Sequence, residues 1–371
     1  MNNSILNNVE SIKNSGETID LSEFKKWSIS KCNIGNLNDK TAIVVFCVIA
    51  TIGGKIIKLS NRNEKYNNSL IEKLETIPSY NSGLPFTNFI NQIRDIGIVV
   101  VGNVGNIAPE IINHEPQEIK DIAIQAIAIE LAKGARNIVF DIQLGVNNPL
   151  KTQYDVEIFS NIVKKIAEKY NKEVIVFTHE PNECLGECFG NRFEIYECIN
   201  VLNGNIQSGD FYQSCLYQTA TINSLLYNIP FELSEQIVKS ILSEGIAYKK
   251  FESWISSQCG CLENIKIPPH FHRKIDIIAT TNGVLNMRNI NAFNSITKIL
   301  NNSDAGIILH KKNNDKILKG EIICTLYETN ENIFDTLNDV LNLIFTIVPE
   351  NQSFNIKKTK KNYLSFKNSY I

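Results

Sequence analysis

Apolar residues recur along this chain in two alternating rhythms. Residues 41–52 form an apolar run behind a polar loop and read as a buried helix. Residues 96–102 are continuously apolar and β-branched, the mark of a strand buried on both faces. Ile119, Ile122, Ile127 and Leu131 fall at helical spacing with alanines between them, which predicts a helix over 118–132. Residues 137–142 are predicted as the next strand. Residues 154–169 follow as a helix buried through Ile158, Ile162, Val163 and Ile166, then 174–178 as a strand and 191–202 as a helix stopped at Gly204. Strands alternating with helices predict an α/β class, a mainly parallel sheet with helices on both faces. Ligands in such sheets lie beyond the carboxyl ends of the strands, which points to Asp141, Gln143 and Thr178.

Outside this central pattern, residues 9–21 read as a short helix running into a turn at Gly16, and 210–258 as two or three helices. Pro268-Pro269 marks a boundary. Beyond it, strands at 276–279 and 306–309 alternate with turns and two helices, an α+β appendage, and a basic tail follows Pro349. A chain of 371 residues has room for two or three packed units. Its net charge of −2 gives no electrostatic case for nucleic acid or an acidic membrane. The longest apolar run is too short to span a bilayer, and Met1-Asn2-Asn3-Ser4 has no signal-peptide character. Nine cysteines without a framework suit free thiols in the cytoplasm. Cys184-x-x-x-Cys188, Cys259-Gly260-Cys261 and His270-x-His272 have no partner pair that would complete a zinc set.

Lys31-Cys32-Asn33-Ile34-Gly35-Asn36-Leu37-Asn38-Asp39-Lys40-Thr41 reads as a polar loop feeding a helix. Such a loop offers free backbone N–H groups and the positive end of a helix dipole to an anion, with Asn38 or Asp39 as the cap. An ordinary connection is the plainer reading. A second block runs Ser60-Asn61-Arg62-Asn63-Glu64-Lys65-Tyr66-Asn67-Asn68-Ser69-Leu70-Ile71-Glu72-Lys73-Leu74-Glu75. Asn14-Ser15-Gly16-Glu17-Thr18-Ile19-Asp20-Leu21, Asp141-Ile142-Gln143-Leu144-Gly145 and the segment from Leu185 to Glu197 complete the set. In this order the motifs resemble the pyrimidine nucleoside phosphorylases, the family of thymidine phosphorylase. Members carry Lys-His-Ser-Thr-Gly-Gly-Val-Gly-Asp-Lys-Thr in the first block. The second reads Ser-Gly-Arg-Gly-Leu-Gly-His-Thr-Gly-Gly-Thr-Leu-Asp-Lys-Leu-Glu. The resemblance runs from about residue 9 to residue 345.

The resemblance implies a central α/β domain at 26–265, a C-terminal α+β domain at 266–348 and a tail at 349–371. It also implies a reduced all-α lobe, its remnant at 1–25 with 110–135, in an N-terminally shortened member. Fewer dimer-forming helices would change pairing, toward a homo- or hetero-oligomer. Similarity places phosphate contacts at Lys31, Cys32, Asn33, Ala42, Lys58, Ser60 and Leu70. Both lysines and one serine match; the competing reading makes Lys31 and Lys58 exposed lysines at strand ends. Pyrimidine-gripping Ser and Lys positions are Gln125 and Ile129, and the gripping Arg belongs to a segment that is shorter here, residues 109–118. Some members hold potassium at the positions of Asn38, Lys40, Leu185, Cys188 and Glu197. Lys40 could place its ammonium there and pair with Glu197, against the alternative of a surface lysine.

No metal and no cofactor is therefore expected, with phosphate the one co-substrate and a small nucleoside-like molecule the ligand. Two functions are compatible with these residues. The first is a pentosyltransferase with altered substrate, favoured by Lys31, Lys58 and Ser60. The second is a paralogue without the family reaction that binds a ligand or a partner, favoured by the substituted base positions. The sequence leans to the second.

Overall fold

The computed structural model describes residues 3–35, 39–60, 69–102, 118–145, 148–179, 185–263, 265, 273–287, 305–328, 341 and 344–349. Helix α1 (Asn3–Lys13) leads to short 3-10 turns over Ser22–Trp27, broken at Lys25, and then to β1 (Ser28–Ile34). Next come α2 (Thr41–Thr51), β2 (Lys55–Leu59), α3 (Leu70–Leu74), α4 (Phe86–Asp95) and β3 (Ile98–Val101). They are followed by α5 (Ile119–Ala132), β4 (Asn137–Gln143), α6 (Gln153–Lys169) and β5 (Glu173–His179). After the two-residue β6 (Cys188–Phe189) the chain forms α7 (Asn191–Leu202), α8 (Gly209–Tyr227), α9 (Phe231–Ser243) and α10 (Ile246–Ser257). Six short strands follow among the described residues: β7 (Arg273–Ile278), β8 (Gly283–Met287), β9 (Gly306–Leu309), β10 (Lys316–Ile317), β11 (Ile322–Glu328) and β12 (Phe345–Val348).

The central sheet is parallel throughout, in the order β3-β2-β1-β4-β5. Strands β4 and β5 alternate between two cores. Ile138, Phe140 and Ile142 of β4 and Val174 and Val176 of β5 pack with α1, α5 and α6, where Phe140 meets Phe159 edge-on at 5.2 Å. The intervening Val139, Ile175 and Phe177 face α2, α7, α8 and α10. Helix α2 is buried over ten of its eleven residues because it lies inside that second layer, against α8 and α10. Chain order reverses between β1 and β4, so the crevice beyond their carboxyl ends is the topological switch point where α/β sheets take ligands.

Two expectations change. Lys31, Cys32 and Asn33 belong to β1 and not to the loop: the ladder to β4 continues as far as Ile34, which pairs with Ile142. Helix α2 has Lys40 at its N-cap with no side-chain cap; Asp39 offers only its backbone carbonyl to Ala42, and Asn38 lies outside the described residues. The segment 311–321 connects the antiparallel pair β9–β11 and carries β10, which crosses to pair with β8.

The C-terminal strands form a three-stranded sheet, β10-β8-β12, and a four-stranded one, β6-β9-β11-β7. The second sheet draws β6 from the central part of the chain, antiparallel to β9. Gly306 of β9 lies flat on the ring of Phe193, where any side chain would collide. Among the described residues no helix is long and apolar enough to cross a membrane.

Candidate functional site

At the switch point β1, β4 and β5 each project a polar side chain toward α2 and α8. Lys31 is 1% exposed, and its ammonium donates to Asp141 Oδ2 at 2.6 Å, to Asn33 Oδ1 at 3.2 Å and to Thr41 Oγ1 at 3.4 Å. The opposite carboxylate oxygen, Asp141 Oδ1, lies 2.6 Å from His179 Nε2. Gln218 Nε2 of α8 donates to Asp141 Oδ2 at 3.1 Å, and Thr41 Oγ1 lies 3.3 Å from the same oxygen. Burial works against ionising Asp141, but the Lys31 ammonium and His179 outweigh it and hold the carboxyl well below the usual range.

Asp141 can only accept, so His179 presents Nε2–H to it and Gln218 presents its amide nitrogen. The remaining atoms, His179 Nδ1 and Gln218 Oε1, are buried without a hydrogen-bond partner among the described residues. With the imidazole neutral, both are acceptors. They suit a ligand that brings hydroxyl or N–H donors, and the Asp141–His179 pair can also hold a proton at Nδ1.

The other phosphate positions scatter. Lys58 and Ser60 stand at the carboxyl end of β2, both buried, so neither lysine is the exposed residue of the competing reading. Ser60 N–H is spent on Val101 O at 3.0 Å. Cys32 turns to the other face of the sheet and packs against the α5–α6 core, while Ala42 and Leu70 are fully buried hydrocarbon. Gln125 and Ile129 lie half-buried on α5, which covers that other face, so the structure does not bring them to the Lys31 network. Residues 109–117 fall outside the described residues.

Lys40, also 1% exposed, donates to Glu197 Oε2 at 2.6 Å and to the Cys188 carbonyl at 2.9 Å. Its ammonium faces the rings of Phe189 and Phe211 at 5.0 and 5.1 Å. Burial opposes its charge, but Glu197 and Glu194 overcome that and hold Lys40 above the ordinary lysine range. The predicted Lys40–Glu197 pair is thus present. Two of the groups that the resemblance assigns to potassium are taken by this ammonium, and a metal cation does not fit the residues as they stand. Leu185 is buried nearby in sequence, and Asn38 lies outside the described residues. Every described cysteine is a free thiol, and no group of three or more potential ligands gathers as a metal site among the described residues. Cys184, His270 and His272 lie outside them.

Comparison with known proteins places this geometry. Residues 300–347 match the model of the pyrimidine nucleoside phosphorylase C-terminal domain. The pyrimidine-nucleoside phosphorylase of Staphylococcus epidermidis is 27% identical over 357 residues, 90% of this chain and 82% of that protein. That of Bacillus subtilis is 25% identical over 349 residues, 88% of this chain and 80% of its own. The chain belongs to the pyrimidine-nucleoside phosphorylase family. Among solved structures, anthranilate phosphoribosyltransferase from Thermus thermophilus superposes with a TM-score of 0.51 at 11% identity, over 68% of this chain and 83% of that one. That likeness concerns the fold alone. Within the family frame, sequence reasoning found Asp141 and Lys31 but missed His179 and Gln218. The strand-end pattern points to Thr178, yet alternation along β5 sends Thr178 to the α5–α6 face and its neighbour His179 to Asp141. Gln218 carries no local signal, since only packing of α8 onto α2 brings it to the strand ends.

Proposed function

We propose that this family member does not carry out phosphorolysis of thymidine or uridine and instead binds a nucleoside-like ligand through its hydroxyl and N–H donors. The observation that carries this reading is the state of Lys31: all three ammonium hydrogens are directed at Asp141, Asn33 and Thr41. A phosphate would have to draw that cation away from a buried carboxylate. Phosphorolysis further needs donors on the departing base. Gln125 and Ile129 stand where the resemblance expects a serine and a lysine. Each lost charged hydrogen bond costs roughly 1.5–3 kcal/mol of transition-state stabilisation. His179 Nδ1 and Gln218 Oε1 supply acceptors suited to a pentose hydroxyl.

One observation favours the alternative, a pentosyltransferase of altered substrate: the Asp141–His179 pair is built as an oriented proton acceptor. The two readings separate in one assay. Thymidine, uridine and deoxyuridine are incubated with phosphate at high protein concentration, alongside Lys31→Ala. No base release is expected, while calorimetry detects uridine binding in phosphate-free buffer that His179→Ala weakens. Release of base that disappears in Lys31→Ala would overturn the proposal and establish the alternative.

A further inference from the structure

A cavity of about 350 Å3 opens at the amino-terminal edge of the central sheet, the edge opposite Asp141. It lies between residues 18–28 and the turns that lead into β4 and β5. Its volume is in the range of roughly 300–1,000 Å3 typical of small-molecule sites. The lining carries three cations, Lys25, Arg136 and Lys172, against one carboxylate, Asp20. That carboxylate is already engaged, since Asp20 Oδ1 accepts from the Ser22 backbone N–H at 2.8 Å.

The cations are not neutralised in the same way. Arg136 is fixed by its backbone N–H to Ser28 Oγ at 2.9 Å and by Nη2 to Glu173 Oε1 at 3.2 Å. Most of its five guanidinium hydrogens remain available. Lys172 Nζ gives one hydrogen to the Gly134 carbonyl at 2.9 Å. Burial first, and then repulsion from Arg136, push Lys172 below its ordinary value, the situation an entering anion relieves. Lys25 adds a separate observation. Its backbone is held at φ 47° and ψ −129°, a region that a residue with a side chain rarely occupies, and the residue lines this cavity.

We propose that this cavity is a binding site for a small phosphomonoester, with Lys25, Arg136 and Lys172 gathering around the phosphate. The site is independent of the Asp141 network and of the function proposed for it. Inorganic phosphate and ribose 5-phosphate are the probes, titrated calorimetrically into the full chain. Ribose 5-phosphate is expected to bind more tightly than phosphate, because the cavity is larger than the anion alone. Arg136→Gln and Lys25→Gly are each expected to weaken binding about tenfold, the loss of one charged contact.

Lys25→Gly separates binding from folding. Glycine relaxes the strained backbone, so the melting temperature is expected to rise while affinity falls. Lys31→Ala serves as the control for the opposite edge and leaves the affinity unchanged. Absence of binding overturns the proposal. So does binding that Lys31→Ala abolishes while Lys25→Gly and Arg136→Gln leave it intact, which would place the phosphate at the carboxyl edge.

Discussion

Asp141 accepts from Lys31 and Gln218 on one carboxylate oxygen and lies against His179 on the other, so its removal strands a buried ammonium. Breaking a buried pair from one side costs roughly 3–5 kcal/mol. Asp141→Asn should therefore lower the unfolding free energy by that amount, read from a lower denaturant midpoint at unchanged slope, while Asp141→Asn with Lys31→Met recovers most of it. The pH dependence follows from the direction of the shift. Folding lowers the Asp141 pKa, so as pH falls the unfolded chain takes up the proton first. The stabilisation is full above the ordinary carboxylate value of about 3.9 and is lost as pH falls toward the folded one. Stability measured between pH 5 and pH 3 should decline less steeply in Asp141→Asn than in the parent. At this scale the sequence revealed Asp141 because it closes an apolar strand. It concealed His179 because a one-residue error in strand length exchanges the two faces, and Gln218 because its role depends on a helix 77 residues away.

Helix α2 begins with a lysine, the wrong charge for the positive end of a helix dipole. Glu197 of α7 and the Cys188 carbonyl of β6 offset that misplacement by taking the ammonium. Lys40→Met should destabilise the protein by about 3–5 kcal/mol, and Lys40→Met with Glu197→Leu should be close to the parent, as exchanged buried pairs often are. A double-mutant cycle on thermal unfolding reads the coupling. The tethered ammonium also predicts that melting is the same in potassium chloride and in tetramethylammonium chloride; a rise confined to potassium would show that a free cation still enters. The pairing of Lys40 with Glu197 was legible from the resemblance. The failure of Asp39 as a cap was not, because capping preference is local whereas Lys40 answers to residues 148 and 157 positions away.

Across the whole molecule, the alternation of helices and strands was legible from hydrophobic period. Sheet order was not, and the two-residue β6 is too short to show any period. Its pairing with β9 makes the C-terminal sheet a joint construction of two distant parts of the chain. Residues 266–371 produced alone should expose the β9 edge and aggregate, measurable by light scattering, since an unpaired edge strand recruits others. A folded, monomeric fragment would show that β6 is dispensable. The same pairing has a consequence in time. Ile308 follows Cys188 by 120 residues, so at roughly 5–20 residues per second β6 leaves the ribosome on the order of 6–24 s before its partner does. During that interval the Lys40 ammonium, already synthesised, can hold the Cys188 carbonyl in place, acting as a clamp on an unfinished sheet.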